Sequence, residues 1–183
     1  MILSLDCSTT CIGWAVFDED DLIDYGRLEP TVSGLEWRDR VHNLLSSLEK
    51  LILKYKPNKI YQEQVPLGGS GGNMILSELS YVQGVFSVIE KAYCQELEYI
   101  DVSTWRKNIG INDGKDQRRN AKKIKSIEKA NELFGLNLPI EFTQGGNYKS
   151  NGSDDISDAI LIYASIRDKY KKKLKSFGKG VNN

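Results

Sequence analysis

Four aspartate and glutamate residues occupy positions where a sequence built only for packing would place apolar side chains. Asp6 ends the first apolar segment, Glu63 ends a later one, and Asp155 and Asp158 lie in the segment SDDISDAI. Like charges gathered at one place raise one another's pKa and destabilise the fold unless cations neutralise them. Mg²⁺ prefers such hard oxygen ligands. If the fold brings the four residues together, they predict a magnesium site.

Two such ions about 3.5–4 Å apart, bridged by one carboxylate, hydrolyse phosphodiester bonds by in-line attack. The chain has one histidine and no base for a serine–histidine pair, so no other nucleophile system competes. A zinc site is disfavoured, because only Cys7 and Cys11 come near the spacing of zinc ligands. Each carboxylate also has a simpler reading: Asp6 as a turn cap, Glu63 as an exposed strand end and Asp155 as a helix cap.

The elements that must position these residues follow from the apolar pattern. Short apolar runs with turn-like breaks predict three antiparallel strands over 1–6, 12–17 and 22–29. Apolar residues at three- and four-residue intervals predict a helix over 35–55. The next predicted elements are a fourth strand in NKIYQEQV, a glycine-rich loop, a second helix and a fifth strand in LEYIDVS. The crossover between the last two strands is long enough to make them parallel.

The rest of the chain predicts helices. A basic helix is expected over 116–134, a loop rich in Gly and Asn over 135–153, and a last helix over 154–173. On this helix Asp155 and Asp158 lie about 60° apart, beside its apolar stripe. The predicted class is α/β, with one five-stranded mixed sheet, three strands antiparallel and then two parallel, flanked by helices.

Charge is divided unevenly along a chain whose formal net charge is zero. Residues 1–100 carry 8 Lys and Arg against 15 Asp and Glu, and residues 101–183 carry 17 against 10. The basic run over 115–129 predicts a surface for a polyanion, with a solvated helix face as the alternative. The expected phosphate contacts are Lys115, Arg118, Arg119, Lys122 and Lys123, followed by Arg106 and Lys107.

Five segments spread over nearly the whole chain carry a resemblance to a known family. They are ILSLDCSTTCIGWAVFD, YQEQV, VQGV, DVSTWRK and DISDAI. In this order they resemble the RuvC-like Holliday-junction resolvases, which belong to the RNase H-like superfamily. The resemblance implies an RNase H-like fold and a Mg²⁺-dependent endodeoxyribonuclease that resolves four-way DNA junctions, with Mn²⁺ as an alternative ion. It also implies a homodimer, because a two-fold symmetric junction needs two active sites for paired incision.

By this resemblance Asp6, Glu63, Asp155 and Asp158 are both the catalytic residues and the metal ligands. Asp6 would bridge two Mg²⁺ ions, Glu63 would hold one, and the pair on the last helix would hold the other. Cleavage would then leave a 5′-phosphate and a 3′-hydroxyl. Asp154 is an alternative to Asp155, because either of these two adjacent aspartates could be aligned with the family's metal ligand.

The chain departs from the family pattern after the Glu-Gln-Val segment. Pro66 and Leu67 stand where bacterial members carry an aromatic residue that inserts at the junction. Trp105 is expected in the core rather than stacked on a base. Three other functions stay open: a broader branched-DNA or flap endonuclease, an ATPase of the actin-like fold, whose first hairpin carries a similar turn, and a non-catalytic DNA-binding module.

The length of 183 residues, with 40% apolar side chains, predicts a single nuclease domain over 1–183. Residues 169–183 are expected to form a frayed basic tail. No apolar run approaches the roughly 20 residues that span a bilayer, so no membrane partner is expected. Three cysteines cannot all pair, which disfavours a disulfide framework. We therefore expect an intracellular, cytoplasmic protein, with a virus-encoded protein acting in its host cell as one alternative.

Overall fold

A five-stranded mixed sheet forms the centre of the protein. The computed structural model describes residues 1–65, 73–94, 96–111 and 119–168. The strands are β1 (Ile2–Cys7), β2 (Ile12–Asp18), β3 (Asp21–Leu28), β4 (Lys59–Gln64) and β5 (Glu96–Asp101). Their order in the sheet is β3-β2-β1-β4-β5, with β1, β2 and β3 antiparallel and β4 and β5 parallel to β1. The fold class predicted from the sequence is confirmed.

Helices cover both faces of this sheet. They are α1 (Trp37–Tyr55), α2 (Asn73–Tyr93), α3 (Val102–Asn108), α4 (Arg119–Phe134) and α5 (Ser153–Ala164). Among the helices of the described residues, none combines the length and the apolar character needed to cross a membrane. α1 ends two residues before Pro57, as expected because proline disfavours helical geometry in the residue before it.

Two cores lie on opposite faces of the sheet, because successive strand residues point to opposite sides. Trp14 and Val16 of β2 pack with α1 and α2, whereas Ala15 and Phe17 pack with α3, α4 and α5. α5 lies deepest in the second core, with every residue from Ser157 to Ala164 buried. The predicted carboxylates of the last helix therefore begin an element that is pressed directly against the sheet.

Gly13 permits the close approach of α5. A Cβ atom at this position would lie 2.0 Å from the carbonyl oxygen of Asp155, well inside van der Waals contact. Gly13 is also the partner of Asp6 in the β1–β2 ladder. The missing side chain thus brings the first turn of α5 beside the end of β1.

The last helix is shorter than predicted. The pattern indicated a helix over 154–173, but α5 ends at Ala164. The amides of residues 166 and 167 donate to carbonyls three residues earlier, at 3.2 Å each, which is the tightened turn with which many helices end. The Arg167 side chain then forms an ion pair with Asp20 at 2.6 Å. The predicted tail over 169–183 lies outside the described residues.

A small hairpin stands within the segment 135–153, which was predicted to be a loop. Its strands are β6 (Glu141–Phe142) and β7 (Tyr148–Lys149), paired antiparallel. Two-residue strands are too short to give a recognisable alternation of apolar and polar residues. The prediction of an irregular segment was therefore wrong at these four positions.

The sequence pattern predicted no separate range for α3, although the start of this helix carries a capping residue. The Asp101 carboxylate accepts hydrogen bonds from the backbone N–H groups of Ser103 and Thr104, at 2.8 and 3.1 Å. This is the arrangement by which aspartate caps a helix N-terminus. The basic helix predicted over 116–134 is observed from Arg119 onward, and residues 116–118 lie outside the described residues.

Candidate active site

Two of the predicted carboxylates lie side by side on the central strands. β1 and β4 are parallel, and Leu5 stands opposite Gln62 in their ladder. Asp6 and Glu63 are therefore the next pair along, and both point to the α5 face, away from Leu5 and Gln62. Each keeps a partial exposure.

The first turns of α5 add three more carboxylates to the same place. Asp154, Asp155 and Asp158 line a pocket of about 450 Å³ together with Asp6 and Glu63. All four residues that the sequence singled out are thus brought to one cavity, although they come from both ends of the chain. Asp158 is 8% exposed and Asp154 is 2% exposed, so the acidic groups form the floor of the pocket rather than its rim.

Burial and mutual repulsion raise the pKa values of the carboxylates at the centre of this floor. The pKa of Asp6 lies well above its ordinary value, because of burial first and then the charges of Glu63, Asp158 and Asp155. Burial, followed by the charge of Asp158, raises the pKa of Glu63 to about 7. Burial also raises the pKa of Asp158 to about 6, against the opposing charge of Arg106. These carboxyl groups therefore hold protons more readily than exposed ones, because the protein compensates their negative charge only in part.

Three cationic side chains each face one aspartate of α5. The pairs are Arg27 with Asp155 (Nε to Oδ2, 2.9 Å), Arg106 with Asp158 (Nη2 to Oδ2, 3.4 Å) and Lys123 with Asp154. The Arg27 Nε contact is an ion pair rather than a hydrogen bond, because its direction does not suit one. In this arrangement, no group of three Asp, Glu, His or Cys side chains among the described residues is set to hold a metal ion.

Asp154 and Asp155 differ in how the protein surrounds them. Asp154 Oδ1 accepts hydrogen bonds from the hydroxyls of Tyr148 and Ser150, at 2.9 and 2.8 Å, and Lys123 contacts Oδ2. The pKa of Asp154 is lower than its ordinary value. Burial alone would raise this pKa, but the contacts with Lys123, Ser150 and Tyr148 have the larger combined effect. The pKa of Asp155 is raised instead, by burial and then by the charge of Asp154. Asp154 is therefore saturated by protein partners.

Trp105 holds Glu63 in place. Its indole N–H donates to Glu63 Oε2 at 2.8 Å, and its ring is completely buried in the core on the α5 face. The prediction that Trp105 belongs to the core is confirmed, and the residue has a second role as a hydrogen-bond donor to the site. Trp105 lies on α3, which packs against β5, the neighbour of β4 in the sheet.

The donor set of the pocket fits a divalent cation. All its acidic ligands are hard carboxylate oxygens, which Mg²⁺ prefers. The Oδ1 atom of Asp158 is buried and has no hydrogen-bond partner among the described residues, which is costly for an acceptor of this kind. Burial first, and then the charges of neighbouring carboxylates, raise the pKa values of Asp6 and Glu63. A cation in the pocket would relieve both.

Basic side chains surround the acidic floor. The predicted phosphate contacts that line the pocket are Arg106, Arg119, Lys122 and Lys123. Lys107 is exposed and does not line it. Lys115 and Arg118 lie outside the described residues, as do Pro66 and Leu67. Arg27, on β3, was not among the predicted residues, because no local pattern shows that its strand reaches α5.

Solved structures share this arrangement of strands and helices. Thermus thermophilus RuvC in complex with a Holliday junction substrate matches with a TM-score of 0.60 and 12% sequence identity, over 90% of this chain and 92% of that one. The chain has the RuvC fold. A second structure of T. thermophilus RuvC matches with a TM-score of 0.56 and 11% identity, over 90% and 93% of the two chains.

The RuvC-like fold was predicted from five short segments and is confirmed by these matches. A fowlpox virus resolvase, solved with its substrate Holliday junction DNA, matches with a TM-score of 0.45 and 13% identity, over 91% of this chain and 99% of that one. No protein-family model matches the sequence, and no curated protein does so either. The RuvC likeness is therefore one of fold, found at low sequence identity.

Proposed function

We propose that this protein is a Mg²⁺-dependent endodeoxyribonuclease that resolves Holliday junctions. The observation that carries the proposal is the pocket, which Asp6, Glu63 and Asp158 line together with the basic side chains of Arg119 and Lys122. Such a surface attracts a polyanion to its rim while a divalent cation occupies the floor. The RuvC fold supports the same substrate, because the similar T. thermophilus structure is a complex with a Holliday junction.

The residues that would hold the metal are Asp6, Glu63, Asp155 and Asp158, with two Mg²⁺ ions per site and Mn²⁺ as the alternative. When bound, the ions supply a water of lowered pKa and stabilise the charge that develops on the phosphate. Asp154 is not among these ligands, because both of its carboxylate oxygens already contact side chains of the protein. The expected products carry 5′-phosphate and 3′-hydroxyl ends.

Residues in and next to the pocket would position these ligands and the DNA. Trp105 fixes the orientation of Glu63 through its indole N–H, and Arg27 does the same for Asp155 through its guanidinium. Arg106 contacts Asp158 while lining the pocket, so it is placed to contact a phosphate bound there. Arg119 and Lys122 hold the flanking backbone. None of these contacts reads base identity, and the chemistry is therefore expected to follow DNA shape.

We further propose that the active form is a homodimer. A four-way junction is two-fold symmetric, and paired incision requires two copies of the site in matching orientation. Light scattering of the protein with and without a four-way junction tests this point. A single copy bound per junction, with only one strand cut, would contradict it.

A broader branched-DNA or flap endonuclease is the second candidate. The observation that favours it is Pro66–Leu67, which replaces the junction-inserting aromatic of bacterial resolvases. The same pocket would serve both activities, because phosphodiester hydrolysis is the same reaction in each.

Cleavage of end-labelled four-way, three-way, flap and linear DNAs in Mg²⁺ separates these functions. The proposal expects symmetric, ligatable nicks near the branch point of the four-way junction and little cutting of linear duplex. Comparable rates on all branched forms would favour the broader nuclease, and equal rates on linear DNA would exclude both. Asp158→Asn serves as the inactive control that still binds. ATP hydrolysis without DNA, or junction binding with no cutting in any divalent metal, would support the ATPase or the binding module instead.

A further inference from the structure

A second groove adjoins the active-site pocket, between the first turns of α4 and the β6–β7 hairpin. Its volume is about 430 Å³, within the size range of small-ligand sites. The residues that matter for its chemistry are Arg119, Asn120, Ile124, Phe142, Asn147 and Tyr148. Arg119 lines both this groove and the active-site pocket, so the two are joined at that side chain.

Phe142 presents an aromatic surface to solvent in this groove. It is 56% exposed, more than any other aromatic side chain that the structure describes. Tyr148 is its direct partner across the hairpin, and the two therefore lie on the same face of the ribbon. An exposed phenylalanine ring that lines a groove offers a flat apolar surface that a ligand can cover.

The hairpin that carries Phe142 is anchored to the active site. The Tyr148 hydroxyl donates to Asp154 Oδ1 at 2.9 Å, at the first turn of α5. The Asn151 side chain donates to Glu141 Oε1 at 3.2 Å, and the Thr143 N–H closes the turn by donating to the Asn147 carbonyl at 2.8 Å. The first two bonds connect both strands of the hairpin to residues at the start of α5, and the third closes the hairpin turn. The ring of Phe142 is therefore held at a defined position relative to the acidic pocket.

We propose that this groove binds an unpaired nucleobase, which stacks on Phe142 while its backbone phosphate contacts Arg119. The inference rests on the proposed function, since the base belongs to the same DNA whose phosphate enters the active site. Aromatic rings beside basic side chains bind single-stranded DNA in this way. The amides of Asn120 and Asn147 offer both donors and acceptors to a base edge.

The charge of the groove favours nucleic acid over a protein partner. Its only charged lining residue is Arg119, and no acidic side chain lines it among the described residues. A lining that combines the apolar side chains of Ile124 and Tyr148 with polar amides suits a flat base with a polar edge. Linear duplex DNA keeps its bases stacked and paired, whereas base pairs next to a branch point open more readily. The groove would therefore favour branched DNA over linear duplex.

Fluorescence of 2-aminopurine tests the groove without any cleavage. A short oligo-dT carrying one 2-aminopurine is titrated with the protein in EDTA, where stacking on Phe142 should quench the emission. Phe142→Ala should weaken binding about tenfold or more and abolish the quenching. Phe142→Trp should restore both. Tyr93→Ala is the matched control, because Tyr93 is 46% exposed on α2, at the opposite face of the sheet, and should change neither.

Unchanged affinity and quenching in Phe142→Ala would overturn the inference. A Phe142→Ala protein that binds the oligonucleotide normally but sediments at a different mass would also overturn it, because the ring would then be a protein contact. Junction cleavage by the wild type in Mg²⁺ is measured separately. Cleavage without any dependence of binding on Phe142 removes the nucleobase site alone. Phe142-dependent binding without cleavage removes the nuclease function and leaves a nucleobase site.

Discussion

The two faces of the sheet both bury carboxyl groups, but they surround them differently. On the face covered by α1 and α2, Glu90 is completely buried, and burial raises its pKa to about 8. When the side-chain amide of Gln62 is oriented with its nitrogen towards Glu90, that nitrogen donates to both carboxyl oxygens of Glu90, at 3.1 and 3.2 Å. On the α5 face, Asp6 and Glu63 share an open pocket with the aspartates of α5 and several cations.

This difference separates a structural acid from a functional one. A single buried carboxyl such as Glu90 is mostly protonated at neutral pH, and an amide partner is enough for it. A cluster of carboxyls with an opening to solvent exchanges protons for a cation instead. A raised pKa alone therefore does not mark an active site in this protein. The neighbouring acids and the pocket do.

The strongest test of this contrast compares Asp6→Asn with Glu90→Gln. Each variant removes one carboxyl group and keeps the shape of the side chain, on opposite faces of the sheet. Asp6→Asn should reduce Mg²⁺-dependent junction cleavage by more than about 100-fold, since even residues that only orient a metal ligand cost about 10–100-fold. Glu90→Gln should leave cleavage unchanged. Single-turnover rates on a labelled junction decide the matter, and an Asp6→Asn protein that still cuts would refute the site assignment.

Glu90 should also control how stability depends on pH. Its pKa rises from the ordinary 4.5 to about 8 in the folded state, so the folded protein holds a proton that the unfolded chain releases in that range. This contribution to the free energy of unfolding is complete below pH 4.5 and is lost as the pH rises to about 8, by about 1.4 kcal/mol per pKa unit.

Urea unfolding of the metal-free protein at pH 5 and pH 8 measures this loss, which Glu90→Gln should remove. Asp6, Glu63 and Asp158 contribute a loss of the same sign, because their pKa values are also raised. Mg²⁺ should restore stability at pH 8 in the wild type and in Glu90→Gln, but less in Asp6→Asn. An equal pH dependence in wild type and Glu90→Gln would show that Glu90 is not the structural acid described here.

Two tryptophans sharpen the comparison further. Trp105 donates to Glu63 on the α5 face, whereas the indole N–H of Trp14, on the other face, is buried without a partner among the described residues. Trp105→Phe should slow cleavage about 10–100-fold, as loss of a ligand-orienting bond does. Because that bond lowers the pKa of Glu63, its loss should move the acidic limb of the pH–rate profile to higher pH. Trp14→Phe should leave the profile in place.

The smallest expected effect concerns the basic rim. Arg119→Ala should lower the slope of log Kd against log salt for junction binding by about one, since one phosphate contact is lost. Lys50→Ala, an exposed lysine of α1 on the other face, should not change the slope. Binding titrations in EDTA at several salt concentrations measure both. Equal slopes for the wild type and Arg119→Ala would place the DNA elsewhere.

Much of the fold was predictable, because strand and helix patterns are local. β1 is shifted by one residue from its predicted range of 1–6, and α1 begins two residues later than predicted. Predictions were wrong where a local pattern was overridden or too short. α5 ends early at Ala164, where the amides of Ile166 and Arg167 tighten the turn, and the two-residue strands of the hairpin leave no alternation to read.

The candidate site was only partly predictable, for the same reason. Asp6, Glu63, Asp155 and Asp158 stood out because acids at strand ends and at a helix start interrupt apolar patterns. Arg27 and Trp105 did not stand out, because a basic residue in an edge strand and a tryptophan after a strand are ordinary features. Their importance comes from contacts with residues far away in the chain, at Asp155 and Glu63.

The amino-acid sequence by itself indicated the five strands of the mixed sheet and the acids at their ends, since alternation and spacing are properties of neighbouring residues. Only the tertiary structure decided that the Asp154 carboxylate forms an ion pair with Lys123 and accepts hydrogen bonds from two hydroxyls, while Asp155 faces Arg27. It also decided that Glu90 is buried away from the pocket and that Phe142 stands exposed beside it. These outcomes depend on how distant elements pack, because the energy of a charge or an aromatic ring is set by its three-dimensional surroundings.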